Sequence, residues 1–245
     1  MTNPPMGCAD LHIHTTASDG KPTVRELLNF VAKHRPHLTT IAITDHDTLD
    51  ASLWAYEQRH FYSFDVVPGV EVSSRDGHVL ALWVNDPIKR NMSLADTVSA
   101  IHEQDGIAVV AHPLHPLLTC HFKQAYRTFV HPSVLLEMGV DALEIHNAGI
   151  AGLGFNWLAG QIARTIGVAV TGGSDAHTLG AIGTGKTWFP GYNATDLRRA
   201  LLDKTTVARG TPWSITDYVG YFKHARKRKA MISSEITNSS TATNP

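Results

Sequence analysis

Short apolar runs rich in β-branched residues recur along the chain and alternate with segments whose apolar positions fall at helical spacing. The runs predict strands over 9–14, 40–45, 65–72, 78–84, 107–111, 141–146 and 168–173. Between them, 23–35 opens on Thr23, whose hydroxyl suits the free backbone amides of a helix start, and keeps its apolar residues on one face. The stretch 93–105 has Ser93 in the same role and stops before Gly106, 155–166 runs to Gly167, and 195–204 begins on Thr195 as cap. Strand and helix in alternation, with strands apolar on both faces, imply a parallel sheet with crossover helices. About seven such units in roughly 220 residues fit a small barrel better than an open sheet. Residues 114–139 break the rhythm as a long connection, the length of a functional loop or lid. GTGKT at 183–187 lacks the spacing of a phosphate-binding loop and reads as a strand and turn.

Composition changes this picture little. A chain of 245 residues that is 43% hydrophobic can bury one large core, and a formal net charge of −1 gives no case for a strongly basic nucleic-acid binder. Cys8 and Cys120 make no disulfide framework and suit a reducing compartment. Residues 1–7 lack the charged and apolar regions of a signal peptide, and no apolar run approaches membrane-spanning length, so a cytoplasmic location is expected. The basic cluster KHARKRK at 223–229 reads as a solvated helix end, and 230–245, rich in Ser, Thr and Asn, as a disordered tail.

The fifteen histidines change it a great deal. His34, His37, His60 and His224 lie among polar neighbours, but others fall in a series of metal-ligand types: His12, His14, Asp19, His46, Glu71, His78, His112, Asp175 and His177. Nearly all stand where a predicted strand ends. Imidazole and carboxylate together suit Zn²⁺, Mn²⁺ or Fe²⁺, and nine donors are too many for one ion. His12 and His14, two apart on a strand, share a face with Asp10, which is expected to orient an imidazole from behind. In parallel α/β folds the carboxyl ends of strands converge on one face, so the series predicts one multinuclear pocket there.

The words that carry these residues, DLHIHTTASDG, ITDHDT, GVEV, AHP and GSDAH, resemble in type and order those of the PHP (polymerase and histidinol phosphatase) superfamily of metal-dependent phosphoesterases, over roughly residues 8–210. The resemblance implies a distorted (β/α)₇ TIM-like barrel, placed as a single domain at 8–222 between an extension at 1–7 and the basic cluster and tail at 223–245. It implies two to three divalent cations, Mn²⁺, Zn²⁺ or Fe²⁺, with Mg²⁺ as an alternative. Carried over by position, the first would take His12, His14, Glu71 and Asp175. The second would share Glu71 and add His78 and His112, and the third would take Asp19, His46 and His177. The subgroup with aspartate at the position of Asp19 includes nucleotide phosphatases and a 5′-to-3′ oligonucleotide exonuclease. Those relatives often insert a small domain ahead of AHP, whereas only 33 residues separate His78 from His112 here.

The implied function is hydrolysis of a phosphate ester of a small metabolite, nucleotide or short oligonucleotide by a hydroxide bridging two ions, with the third gripping the phosphate. Glu71 would set the ion spacing, and Asp45, Asp47 and His115 are candidates to move a proton. Lys21 and Arg75 are candidate phosphate clamps at the pocket mouth. Ser18 and Ser174 lie inside the motifs without a triad arrangement and read as turn residues. Neither a membrane nor an obligate protein partner is expected. Two other readings stand beside this one: a hydrolase of C–N or lactone bonds, which needs fewer ions, and a non-catalytic metal- or nucleic-acid-binding module, which would be expected to lack ligands.

Overall fold

A computed structural model describes residues 5–114, 131–152 and 154–241. In chain order the elements are β1 (Met6–Asp10), α1 (Val24–His34), β2 (Thr40–Ile43), α2 (Asp50–Gln58), β3 (Asp65–Ser74), β4 (Gly77–Leu82), α3 (Leu94–His102), β5 (Ile107–Val110), α4 (Val134–Glu137), β6 (Ala142–Asn147), α5 (Asn156–Ile166), β7 (Ala169–Gly173), β8 (Gly185–Pro190), α6 (Ala194–Leu202), β9 (Val207–Gly210) and α7 (Ile215–Thr241). One sheet runs β7-β6-β5-β4-β3-β2-β1-β8-β9. Strands form at all seven expected places, and 183–187 does lead into a strand, but β1 ends at Asp10 where 9–14 was expected, so His12 and His14 lie beyond its end. The single-domain, mixed α/β barrel read from the sequence is the architecture found.

Three features depart from a simple repeat. β4 runs antiparallel to both β3 and β5, because Gly77 at φ 131 turns the chain into a hairpin, whereas the alternation of elements implied a parallel sheet throughout. The cap of α6 lies two residues before the expected one: Asn193 accepts from the Asp196 amide in a capping box, and Thr195 lies inside the helix. The tail expected to be disordered from 230 is helical to Thr241, since extending an existing helix avoids the cost of nucleating one. Most of the long connection 114–139 lies outside the described residues, and its end forms α4. No helix among the described residues is long and apolar enough to cross a membrane.

The core explains the barrel. One cluster, containing Leu11, Ala42, Val67, Leu80, Val109, Ala142, Ala169 and Phe189, draws on β1 to β8, which only the inside of a barrel allows. Leu197 and Leu201 of α6 join it and plug the end opposite the strands' carboxyl tips. Two outer clusters pack α1 and α2 against one side of the barrel and α3 and α5 against the other. The strands are therefore covered on both faces, which is why they read as continuous apolar runs.

Closure depends on glycine. The edge strand β7 meets β8 through the Thr187 hydroxyl, which bonds both the amide and the carbonyl of Gly172 at 2.9 Å. A Cβ on Gly185 would lie 1.9 Å from the Gly173 carbonyl oxygen, so only a bare backbone fits. Gly185→Ala is expected to cost roughly 3 kcal/mol through overpacking, a fall in melting temperature of roughly 6–12 °C for a chain of this size. Gly160→Ala, where the nearest atom is 3.8 Å away on an open helix face, is the control. Equal melting of the two variants would show that the seam tolerates a side chain.

Candidate metal centre

At the carboxyl ends of the strands all nine predicted ligands meet. The chain passes from β1 into an irregular segment where Ile13 bridges Ala176 in parallel, tying the first motif to the last. Beyond β2, His46 bridges Glu71, with the Glu71 amide on the Asp45 carbonyl and the Asp47 amide on the Glu71 carbonyl. His78 follows from the β3–β4 hairpin, His112 from β5, and Asp175 and His177 from β7. His112 and Asp175 hold left-handed backbones (φ 29 and 52), a conformation that costs free energy and persists where surrounding bonds enforce it.

The donor atoms sort into sets. His12 Nε2 lies 3.2 Å from Glu71 Oε2 and 3.6 Å from Asp175 Oδ1; His14 Nε2 lies 3.3 Å from both. A tetrahedron around an ion with bonds of about 2.0–2.1 Å has edges of about 3.3–3.4 Å, close to these separations; His12, His14 and Glu71 form one set within 4.8 Å, and Asp175 forms another with His12 and His112. The other Glu71 oxygen, Oε1, lies 2.9 Å from His78 Nδ1 and 3.1 Å from His112 Nε2. A further set joins His14, Asp19, His46 and His177, whose ligand atoms all lie within 4.8 Å of one another. In it, Asp19 Oδ1 is 3.1 Å from His177 Nε2 and 3.9 Å from His46 Nε2. His46 also turns Nδ1 toward Glu71 Oε2 at 3.2 Å, so it stands between Glu71 and Asp19.

These residues fit divalent ions on chemistry as well as spacing. His12 Nε2, both ring nitrogens of His14, Glu71 Oε2 and His78 Nδ1 are buried and make no hydrogen bond. A fold does not leave that many polar atoms unmatched in one place without an occupant for them. Electrostatics agree. Burial alone would raise the Glu71 carboxyl, but the charges of His12, His46 and His78 hold it well below the usual range. Asp175 and Asp19 are likewise lowered against their burial, Asp175 by His12, His14 and His177, and Asp19 by His177, His14 and His46. Burial pulls His177 down, yet Asp19 and Asp175 raise it to about 9. The carboxylates are thus ionised and ready to bind cations.

The shell behind the ligands differs from the sequence expectation. Asp10 does not orient an imidazole. Its oxygens accept the amides of His12, Ser174 and Gly183, a local turn that ends the alternation of β1 and sends Asp10 away from the histidines. Burial, offset in part by bonds from Ser174, Gly183 and His12, raises its carboxyl to about 6. Glu144, which sequence reasoning missed, takes the orienting role. It accepts His12 Nδ1 on Oε1 at 3.0 Å, and the His112 amide and Asn147 Nδ2 on Oε2 at 3.0 and 2.9 Å. A bulge at Ile145 in the pairing of β6 with β7 lets Glu144 and Asn147, three residues apart, point the same way. Gly173 has no side chain because a Cβ there would meet Glu144 Oε1 at 2.4 Å.

Other candidates divide. Asp45 accepts from the Thr15 amide and hydroxyl and from the Ser18 hydroxyl, at 2.7, 2.6 and 2.5 Å, and so fixes the turn that presents Asp19. Asp47 accepts the Ser73 amide at 2.8 Å, which fixes the end of β3. Ser174 accordingly sits in the turn after β7, its hydroxyl on the His12 carbonyl. Lys21 is exposed beside Glu26 in a cleft between α1 and α7, and Arg75 is exposed at the tip of the β3–β4 hairpin. His115 lies outside the described residues. The segment before and within α7 adds a wall that the motifs did not announce. Trp213 donates Nε1 to the Ser174 carbonyl at 2.7 Å, and the Tyr221 ring meets His177 edge-on at 5.0 Å.

Comparison with known proteins agrees with the fold and the motifs. Residues 154–206 match a family model described as PHP-associated. A 5′-3′ exoribonuclease of Salmonella typhimurium is 45% identical over 81 residues, 32% of this chain and 25% of that protein, so the chain spans only a quarter of that relative's length. A two-domain protein from Bacteroides vulgatus containing a predicted PHP-like metal-dependent phosphoesterase superposes with a TM-score of 0.68 at 16% identity, over 86% of this chain and 67% of that one. A lesion-specific endonuclease from Pyrococcus furiosus superposes with a TM-score of 0.55 at 14% identity, over 81% of this chain and 56% of that one.

Proposed function

We propose that this chain, in which motifs, fold and a PHP-associated segment all carry the PHP resemblance, is a metal-dependent phosphoric ester hydrolase with two to three divalent cations at the nine-residue site. Its substrate is a small phosphorylated molecule, a nucleotide or the end of a short oligonucleotide, met in a reducing compartment such as the cytoplasm. The observation that carries the reading is Glu71, a buried carboxylate with one oxygen facing His12 and His14 and the other facing His78 and His112. That sharing fixes two cation positions side by side. Asp19, His46 and His177 form the third position.

Bound there, divalent cations would supply an acidified water near neutral pH and positive charge against the phosphoryl oxygens. The protein supplies the rest. Glu71 sets the spacing of the positions, Glu144 fixes the ring of His12 and the backbone of His112, and Asp45 holds the Asp19 turn. Trp213 and Tyr221 cover the His177 side and exclude water from it. This reading calls for no serine or cysteine nucleophile; Ser18 is bound to Asp45, and Cys8 is buried with its thiol pushed up to about 12 by burial.

A phosphatase panel with added Mn²⁺, Zn²⁺ or Mg²⁺ tests the reading. Nucleoside monophosphates, 3′,5′-bisphosphates, histidinol phosphate and short 5′-phosphorylated oligonucleotides are the substrates. Metal-dependent phosphate release that a chelator abolishes is expected from at least one of them. Asp19→Ala or His46→Ala should release one ion per chain and slow turnover. Release from none of the substrates with any of the metals sinks the proposal.

A further inference from the structure

A cavity of about 550 Å³ lies at the end of the barrel opposite the metal centre. Asp65, the first residue of β3, stands at it, with Trp83 just past the end of β4 and with Ala194 and Arg198 of the plugging helix α6. Tyr56, near the end of α2, and Arg59, just beyond it, line it as well. The volume falls within the roughly 300–1,000 Å³ of small-molecule pockets. Its apolar lining is Val66 and Pro68, both buried, and Trp83, which packs against the barrel-interior cluster. Trp83 holds a left-handed backbone at φ 58, with its amide on the Pro68 carbonyl at 2.7 Å. A bulky residue rarely adopts that conformation, and here it sets the indole in the cavity wall.

Several polar groups around the cavity already have partners. Arg198 lies over the Trp83 ring, 5.4 Å from its centroid, and donates to the Asp105 carbonyl at 2.6 Å and to its carboxylate at 3.0 Å. Gln104 accepts the Asn85 and Asp86 amides and donates to the Asp86 carbonyl. Two charges are left over. The Arg59 guanidinium lies over the Tyr56 ring, 3.8 Å from its centroid, and donates one N–H to the Tyr56 carbonyl at 2.7 Å. Asp65 accepts the Ala194 amide at 2.7 Å. Neither is in an ion pair among the described residues, although both line the same cavity. A cation and an anion held apart in one cavity, beside an apolar wall, match a ligand that carries both charges and an apolar part. A guanidinium takes a carboxylate through two N–H groups, and an aspartate takes an ammonium. A purely anionic ligand would be repelled by Asp65, and a purely cationic one by Arg59.

We propose that this cavity binds a free α-amino acid with a large apolar side chain, its carboxylate on Arg59, its ammonium on Asp65 and its side chain against Val66, Pro68 and Trp83. The site does not depend on the phosphoesterase reading. Asp65 and Glu71 are the first and seventh residues of β3, about 20 Å apart at about 3.3 Å per residue. An amino acid at Asp65 is therefore out of reach of a cation at Glu71.

The test is isothermal titration of the metal-loaded full chain with L-leucine, L-methionine, L-phenylalanine, L-tyrosine and L-tryptophan. At least one should bind. The amine and the carboxylic acid that share the side chain of the tightest binder (phenethylamine and 3-phenylpropionate in the case of phenylalanine) should each bind on the order of tenfold more weakly, given the worth of charged hydrogen bonds. Arg59→Gln and Asp65→Asn should each weaken the amino acid by a similar factor and leave the ion content unchanged. Arg59 is exposed, and asparagine keeps an acceptor for the Ala194 amide, so both variants should fold. Lys33→Gln, which removes an exposed cation of α1, should bind as the wild type does. Binding of none of the five, analogues that bind as well as the amino acid, or wild-type affinity in Arg59→Gln overturns the site. A wild-type mass above that of one chain that drops in Arg59→Gln assigns the two charges to a second copy and overturns it too.

Discussion

Glu71→Gln is expected to release at least one bound ion per chain and to lower kcat/KM by about a thousandfold, the scale of several kcal/mol of lost charge stabilisation. The side chain is buried, and both its oxygens face imidazole nitrogens, three at 3.2–3.3 Å from Oε2 and two at 2.9–3.1 Å from Oε1. Glutamine keeps the shape but offers one oxygen and one amide nitrogen that cannot ligate. Whichever way the amide turns, one cation position loses its shared donor and both lose the negative charge between them. Metal content per chain, measured beside steady-state rates, checks this. The apo variant should fold, because an uncharged amide is cheaper to bury than a carboxylate. Full ion content with an unchanged rate would remove Glu71 from the centre and with it the two-cation reading.

The nine candidate ligands, which the fold brings together, were legible because each is a side chain whose chemistry shows in the sequence and because strand ends show as the end of an apolar run. What lay between them was not. Asp10 was placed with His12 and His14 by alternation, yet its own carboxylate accepts the His12 amide and breaks that alternation. β4 looked like one more parallel strand, since direction leaves no mark on a run buried on both faces. α2 passed unnoticed because its buried residues, Ala51, Ser52 and Ala55, are small and make no apolar stripe. Glu144 did leave a signal: a carboxylate among Ala142, Leu143 and Ile145 in a strand, where an unpaired charge is rarely tolerated.

That signal leads to the second large effect, a loss of about 10–100-fold in metal affinity for Glu144→Gln. The carboxylate accepts on both sides, from His12 Nδ1 through Oε1 and from the His112 amide and Asn147 through Oε2. As a pure acceptor it requires the proton of His12 on Nδ1, which leaves Nε2, the atom facing Glu71 and Asp175, free to bind an ion. A glutamine cannot accept on both sides. With its nitrogen toward His12 it forces the proton onto Nε2 and blocks the donor. With its nitrogen toward His112 it sets NH₂ against the His112 amide and Asn147 Nδ2, and the backbone that holds His112 at φ 29 loses its acceptor. Either arrangement weakens a ligand that Glu144 never touches a cation to support. A metal titration of the variant should therefore shift to higher concentration while the rate at saturating metal recovers most of its wild-type value. Unchanged affinity would mean that the His12 ring is held by its packing, and a rate that stays low at saturation would mean that Glu144 acts on the reacting group itself.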